Sequence, residues 1–381
     1  MVVVGAGVLG SMVAYRAVEA GHEVVHVERE HAARGASVRN FGLVWVSGRL
    51  GGAELELALR ARELWEEVGA ALPEAGFRAN GSLTVAQSEA EVRVLEEVAR
   101  LDDAERRGFT LLDADETRTV NPAVAGEVAA ALHCSRDAAV EPRRVPNAVR
   151  TALTESRGYR FVPCRHVVDV GEGWVRDHVG ELHAGDAVVI CPGAAHRGIG
   201  GWDADATPLR RVRLQMLETE PLDVWVATSL ADGDSLRYYP VFDVPAREAL
   251  PEPPPLVAEH GMQLLLQQRL DGSLTIGDTH VYEEPFEVAT LEAPYDHLLE
   301  RAASILGRPL PPVRRRWAGV YSQSRPDVLY PYEPLAERTV VVTGAGGRGM
   351  TLSPAIAEDV LDRLALAQSH SSASTRSSTA R

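Results

Sequence analysis

Six residues near the start of the chain have the types and spacing to hold a diphosphate: Gly5-Ala6-Gly7-Val8-Leu9-Gly10. Gly5 lets the backbone turn tightly, Gly7 leaves room for a pyrophosphate to approach, and Gly10 lets a following helix pack close. The free N–H groups at that helix start, those of Val8 and Leu9 among them, add partial positive charge. Glu28 stands eighteen residues after Gly10. Its carboxylate suits both hydroxyls of a ribose and repels a 2′-phosphate, so the chemistry selects an unphosphorylated ADP-ribose.

The flanking residues supply the elements such a motif needs. Val2, Val3 and Val4 form an apolar run of strand character, Met12 to Val18 follow a helical pattern that ends at Gly21, and Val24 to Val27 read as a second strand. GxGxxG alone is a weak signal, and a glycine-rich loop without a ligand is its bland alternative. The order strand, glycine turn, helix, strand and acid is what makes it specific. A polar loop, Arg34 to Gly42, follows and carries Ser37, Arg39 and Asn40. It is expected near the ligand-binding edge of the sheet, with Trp45 just beyond.

At 381 residues, two domains are expected. A net charge of −15 argues against nucleic acid and anionic membrane surfaces as partners. No apolar stretch approaches a membrane span and no charged leader is evident, so a cytoplasmic protein is expected. The first strand begins at residue 2, an abrupt start that fits residues missing upstream. All 39 basic residues are arginine, which excludes a lysine Schiff base or a Walker-type lysine. Cys134, Cys164 and Cys191 are far apart and lack metal-ligand spacing, so neither a disulfide framework nor a metal site is expected.

Two further apolar strands run into glycine turns. Ala187 to Ile190 leads into Cys191-Pro192-Gly193, and Thr339 to Thr343 leads into Gly344 to Thr351, which opens a helix. Val167 to Val170, Trp174 to Arg176 and Glu181 to His183 read as a small meander, and residues 88 to 107 as one amphipathic helix. Asp113 with Glu116 reads as a capping box. From Arg210 onward the residues alternate as half-buried antiparallel strands do, Leu236 to Pro240 among them. The expected fold is α/β: a Rossmann-like domain on a parallel sheet over 1–80, 141–206 and 314–366, and an α+β substrate domain on a mixed or antiparallel sheet over 81–140 and 207–313. Residues 367–381 read as a disordered tail.

Three glycine-terminated strands, near residues 5, 193 and 346, together resemble the FAD-dependent oxidoreductases of the D-amino acid oxidase, glycine oxidase and sarcosine oxidase group. The resemblance implies FAD as cofactor. The fingerprint residues Gly5, Gly7, Val8, Leu9 and Gly10, with Glu28, would serve its ADP half, and the turn with Gly346, Gly347, Gly349, Met350 and Thr351 would put N–H groups against the flavin. Arg29, Ser37, Arg39, Asn40, Val167, Pro192 and Gly193 are further cofactor-binding candidates. Sarcosine oxidases attach flavin to a cysteine shortly before the last glycine turn. No cysteine follows Cys191 here, so non-covalent FAD is expected. The stretches Gly35 to Gly42, Leu214 to Met216, Leu236 to Pro240, Leu274 to His280 and Arg316 to Tyr321 look like a subgroup associated with phosphonate breakdown. That resemblance implies 2-aminoethylphosphonate or its N-methyl form as substrate.

The implied reaction removes a hydride from an amine-bearing carbon, and the imine then hydrolyses. His280 is the candidate proton acceptor, and Tyr239 and Tyr321 are candidate pocket hydroxyls. The amino-acid oxidases follow Trp-Ala-Gly-Leu with a carboxylate-clamping arginine, whereas Trp317-Ala318-Gly319-Val320 here is followed by Tyr321. Arg237 and Arg39 are the candidates for holding an anion instead. Tyr238 and Tyr239, read as strand neighbours, should face opposite ways. Gln215 is a candidate hydrogen-bond partner near the ring. Sarcosine oxidases carry an oxygen-activating lysine where Thr275 stands, so the electron acceptor is O2 or another oxidant. The alternatives are a glycine- or sarcosine-type oxidase, a flavin dehydrogenase of a hydroxy acid, and a flavin-binding sensor or partner subunit.

Overall fold

The computed structural model describes residues 1–325 and 328–378. Two compact units emerge. One comprises Met1–Val38, Arg143–Arg211 and Tyr321–Arg381, the other Arg39–Pro142 and Val212–Val320. Residues 39–80 were expected with the cofactor domain, but they group with the second unit. The pairing of strand Leu43–Val44 with Ala138–Ala139 ties that segment there, as does the bridge between Arg78 and Ala139.

The first unit is built on a six-stranded sheet in the order Tyr332–Ala336, Thr339–Val342, Val188–Ile190, Val2–Val4, Val24–Val27, Tyr159–Val162. All neighbours are parallel except the first pair. Val2–Val4 is central and wholly apolar, because both faces of a parallel strand are covered. Its side chains meet Val27, Val188, Ile190 and Val341, and the meander adds Val167 and Val175. Burying each such valine contributes about 1.5–3 kcal/mol. Parallel order sends the turns after Val4, Val27, Ile190 and Val342 to one sheet edge. The helix Val8–Glu19 lies against Val145–Thr154 on one side and against the last helix on another.

That last helix spans Gly349–Ser378 and so continues through residues 367–378 of the stretch expected to be a disordered tail. No glycine or proline follows Pro354 to stop it. Residues 379–381 lie outside the described residues.

The second unit holds an eight-stranded mixed sheet. Leu83, Leu230, Leu266 and Ile276 stand directly opposite one another across successive strands, with Leu217 beyond. They form one face, covered by Tyr295, Leu298, Ala302 and Ile305 of the helix Glu292–Leu306. The alternate residues Ser82, Ser229, Gln267 and Thr275 form the other face, and they too are buried. A buried polar face must be hydrogen-bonded. Ser82 donates to Asp137 Oδ2 at 2.6 Å, Ser229 donates to Gln267, and Arg269 Nε donates to Thr275 Oγ1 at 2.8 Å.

Two local expectations need correction. Leu236 to Pro240 is not a strand: Ser235–Tyr238 is a helical turn and Pro240–Phe242 a 3-10 turn. The cause lies upstream, where Asp232 Oδ1 accepts from Asp234 N at 3.1 Å and the Asp232 and Gly233 carbonyls accept from Ser235 and Leu236. Residues 88 to 107 split into Glu89–Val98 and Ala104–Arg107, the first capped by a Ser88–Glu91 box. The Asp113–Glu116 box forms as expected.

Candidate functional site

The residues of the first glycine turn are fixed by contacts that leave little freedom. Gly5 has φ +95, and a Cβ there would lie 2.3 Å from the Cys191 carbonyl oxygen. A Cβ on Gly10 would lie 1.9 Å from the Gly5 carbonyl oxygen. Gly7 differs: a Cβ there would have only Ser37 Oγ, at 3.0 Å, within 4 Å. Backbone packing therefore demands Gly5 and Gly10, while at Gly7, at a helix N-terminus, no backbone atom crowds the position and a Cβ would press only on the Ser37 hydroxyl. Ser37 reaches back across 29 residues and accepts from Val8 N at 2.8 Å, so this expected contact residue stands at the turn.

Glu28 is buried at the end of its strand. One carboxylate oxygen accepts from Ala6 N at 2.6 Å and the other from Glu30 N at 2.9 Å. Each oxygen keeps a lone pair for a ribose hydroxyl. The Arg29 guanidinium is exposed and lies 3.9 Å from Glu30. Val167 is buried in the meander.

After Ile190, Gly193 adopts φ +58 with nothing within 4 Å of where a Cβ would stand, and its carbonyl accepts from Thr343 Oγ1 at 2.9 Å. That bond joins the second and third glycine turns. Gly346–Arg348 is a 3-10 turn leading into the last helix, whose first turn contains Gly349, Met350 and Thr351. The Arg348 side chain pins this turn by donating to Ala345 O at 3.1 Å and Leu329 O at 3.0 Å. Open space at Gly193, a side-chain-free Gly7, two helix N-termini and a buried ribose-type acid all fit FAD.

His26 was missed by sequence reasoning. Its Nε2 lies 3.0 Å from Gly5 O and its Nδ1 2.9 Å from Tyr159 Oη. The carbonyl only accepts, so Nε2 carries the proton and Nδ1 accepts from the tyrosine. Burial lowers its pKa to about 4. The signal was present as the lone polar residue in Val24-Val25-His26-Val27, but period and propensity do not say what such a residue holds.

The second unit gathers a cluster of aromatic and ionisable side chains. Trp45 and Tyr239 are 6.1 Å apart, Tyr239 and Tyr238 are edge-to-face at 5.1 Å, and Tyr238 stacks on His280 at 4.4 Å. The helical turn brings the two tyrosines into contact, which corrects their expected placement on opposite strand faces. Trp45 lies in a loop held by buried Asp137, which accepts from Ser47 N at 3.0 Å and Ser47 Oγ at 2.6 Å. Burial pushes the Tyr239 phenol well above its ordinary value, so it stays a donor. His280 Nδ1 lies 2.9 Å from Gly261 O, which fixes the proton on Nδ1 and leaves the lone pair on Nε2. Asp278, also missed from sequence, puts Oδ2 3.9 Å from that Nε2.

The other candidates separate. Arg237 lies 3.5 Å from Asp234 and donates to Pro251 O, so its charge is engaged within its own loop. Arg39 donates to Ala318 O at 3.1 Å and has no carboxylate partner among the described residues. Gln215 exchanges two 3.0 Å bonds with the Leu291 backbone; its amide is a strut there rather than a ligand contact. Tyr321 is buried and belongs to the first unit.

A sequence profile described as "DAO: FAD dependent oxidoreductase" matches residues 1–363. An opine oxidase subunit of Rhizobium meliloti is 25% identical over 235 residues, covering 58% of this chain and 63% of the relative. The corresponding protein of Agrobacterium tumefaciens (strain Ach5) is 23% identical over 237 residues, with the same coverage of 58% and 63%. The chain thus spans under two thirds of the length of these relatives. In fold, it is similar to glycine oxidase from Bacillus cereus ATCC 14579, with a TM-score of 0.76, 20% identity, and 95% and 94% of the two chains covered. L-proline dehydrogenase from P. horikoshii gives 0.74 and 18%, covering 94% and 90%.

Proposed function

The chain belongs to the DAO family of FAD-dependent oxidoreductases, and we propose that it oxidises a small primary or secondary amine carrying an anionic group, of the 2-aminoethylphosphonate type. The observation that carries the reading is His280. Its tautomer is locked by Gly261 O, so Nε2 presents a lone pair beside buried Asp278. Only a neutral amine can release a hydride readily, so a positioned acceptor for the ammonium proton favours amine oxidation. Arg39, with no carboxylate partner among the described residues, is the proposed holder of the substrate's anion.

Bound FAD supplies the hydride acceptor. The glycine turns at 5–10, 192–193 and 346–351 hold it non-covalently through backbone N–H groups. Glu28 takes the ribose, with Arg29, Ser37 and Val167 of the same unit beside it. His280 takes the ammonium proton, and the Tyr239 hydroxyl orients the substrate. Reoxidation is by O2 or another acceptor.

A second reading is an amino-acid oxidase of the glycine or sarcosine type, favoured by likeness in fold to glycine oxidase. A non-catalytic partner subunit is a third, favoured because the matched relatives are named as subunits of an oxidase. Anaerobic mixing of the FAD-loaded protein with amines, and separately with the matching hydroxy compounds, tests the reading. Flavin bleaching by amines alone is expected. Bleaching by hydroxy acids alone would make it a dehydrogenase of alcohols.

A further inference from the structure

Asp278 is a buried acid that lacks a cation. Gln263 Nε2 lies 3.4 Å from its Oδ1 and His280 Nε2 3.9 Å from its Oδ2, with the Tyr239 phenol also close enough to interact. No arginine among the described residues lies within ion-pair distance of it. A buried carboxylate without a positive partner costs several kcal/mol. Such a group holds its proton or meets a ligand that supplies the missing charge.

The backbone holds the pair rigidly. Asp278 N donates to Gln263 O at 2.8 Å, Gln263 N donates to Asp278 O at 3.2 Å, and His280 N donates to His260 O at 2.8 Å. The ring is held again by Gly261 O and by the stack on Tyr238. A separation of 3.9 Å is too long for a hydrogen bond between the two groups. A single nitrogen about 2.8 Å from each spans it with an angle of about 90° at that nitrogen. An ammonium nitrogen with two N–H groups has that geometry.

We propose that Asp278 and His280 together seat the substrate's ammonium group, with Asp278 Oδ2 as its charge partner and His280 Nε2 as the atom that takes its proton. This rests on the amine-oxidation reading. One N–H bond of the ammonium breaks and an Nε2–H bond forms. The electron pair stays on the substrate nitrogen, and the new imidazolium faces the Asp278 carboxylate. Nothing is oxidised in this step. The groups facing the pair are Tyr238 and Tyr282 around the ring, with Tyr239 and Gln263 beside Asp278. Burial raises the Asp278 carboxyl above its usual range, while the nearby imidazole lowers it. An arriving ammonium adds to that lowering. Primary and secondary amines, which as cations bring at least two N–H groups, fit the seat; quaternary amines do not.

The test compares an amine with its hydroxyl analogue on FAD-loaded Asp278→Asn. The probes are 2-aminoethylphosphonate with 2-hydroxyethylphosphonate, and glycine with glycolate. The half-saturating amine concentration for anaerobic bleaching should rise about tenfold or more. Inhibition by the hydroxyl analogue should stay within about twofold, and Asp278→Glu should regain part of the loss. A purely structural role would weaken amine and hydroxyl compound alike, and that result overturns the proposal, as does an unchanged amine response. Should Asp278→Asn not fold, His280→Gln serves: loss of bleaching with analogue binding retained supports the seat, and full bleaching contradicts it. Wild-type protein that no amine bleaches would instead overturn the amine-oxidation reading itself.

Discussion

His26 and His280 are both buried histidines, one in each unit, and they do opposite work. His26 has both ring nitrogens taken, by Gly5 O and Tyr159 Oη, and burial holds it neutral to about pH 4. His280 has one nitrogen taken by a carbonyl, while the other looks across 3.9 Å at a carboxylate. A histidine with two protein partners is a clamp. One with a single fixed partner is a candidate for moving protons. The same contrast holds for the units. The glycine turns of the first unit are held by backbone contacts, whereas the cluster of the second unit is built from side chains.

The comparison breaks most sharply at Gly10. Gly10→Ala forces a Cβ against the Gly5 carbonyl, and the protein should lose flavin entirely, seen as a colourless product after FAD addition. His280→Gln should keep FAD and slow anaerobic reduction by amines about 10²–10⁴-fold in stopped-flow. A fully active His280→Gln would remove the distinction between the histidines. His26→Gln should do the reverse, with an unchanged reduction rate per bound flavin and a stability loss of about 1–3 kcal/mol by denaturant melt.

The pH dependence of His26 sharpens the contrast. Its folded pKa, about 4, lies below the free value of 6.5, so protonation opposes folding. The stability it contributes is complete above pH 6.5 and lost as pH falls from 6.5 through 4, in total about 3 kcal/mol. Denaturation curves across that window should flatten in His26→Gln. Among the arginines, Arg39→Gln should raise the half-saturating concentration of an anionic amine about tenfold and leave an uncharged amine unaffected. Arg237→Gln should give the smallest effect, under about 1 kcal/mol of stability, with activity kept.

Glycine turns were legible because their chemistry is written in residue type. Gly5 and Gly10 can be nothing else when a carbonyl stands about 2 Å from the would-be Cβ. The mixed α/β architecture followed from apolar strands ending in glycine and alternating strands later in the chain. Side-chain chemistry was less legible, because it depends on long-range partners. Asp278 is one aspartate among many until Gln263 and His280 are seen beside it. Arg237 read as a ligand because Asp234 and Pro251 do not advertise themselves as its partners. The Leu236 to Pro240 error shows a local turn at Asp232 overriding the strand preference of two tyrosines. The grouping of residues 39–80 depended on a two-residue strand, too short to show in periodicity.

The seating of an anionic amine by the second unit, as proposed above, is open to one direct measurement. The direct measurement is the anaerobic flavin spectrum on separate addition of 2-aminoethylphosphonate, its N-methyl form, glycine and sarcosine. Bleaching by the two phosphonates, with little or none by the amino acids, is the predicted result. Bleaching by glycine or sarcosine but by neither phosphonate would contradict it and make the protein an amino-acid oxidase.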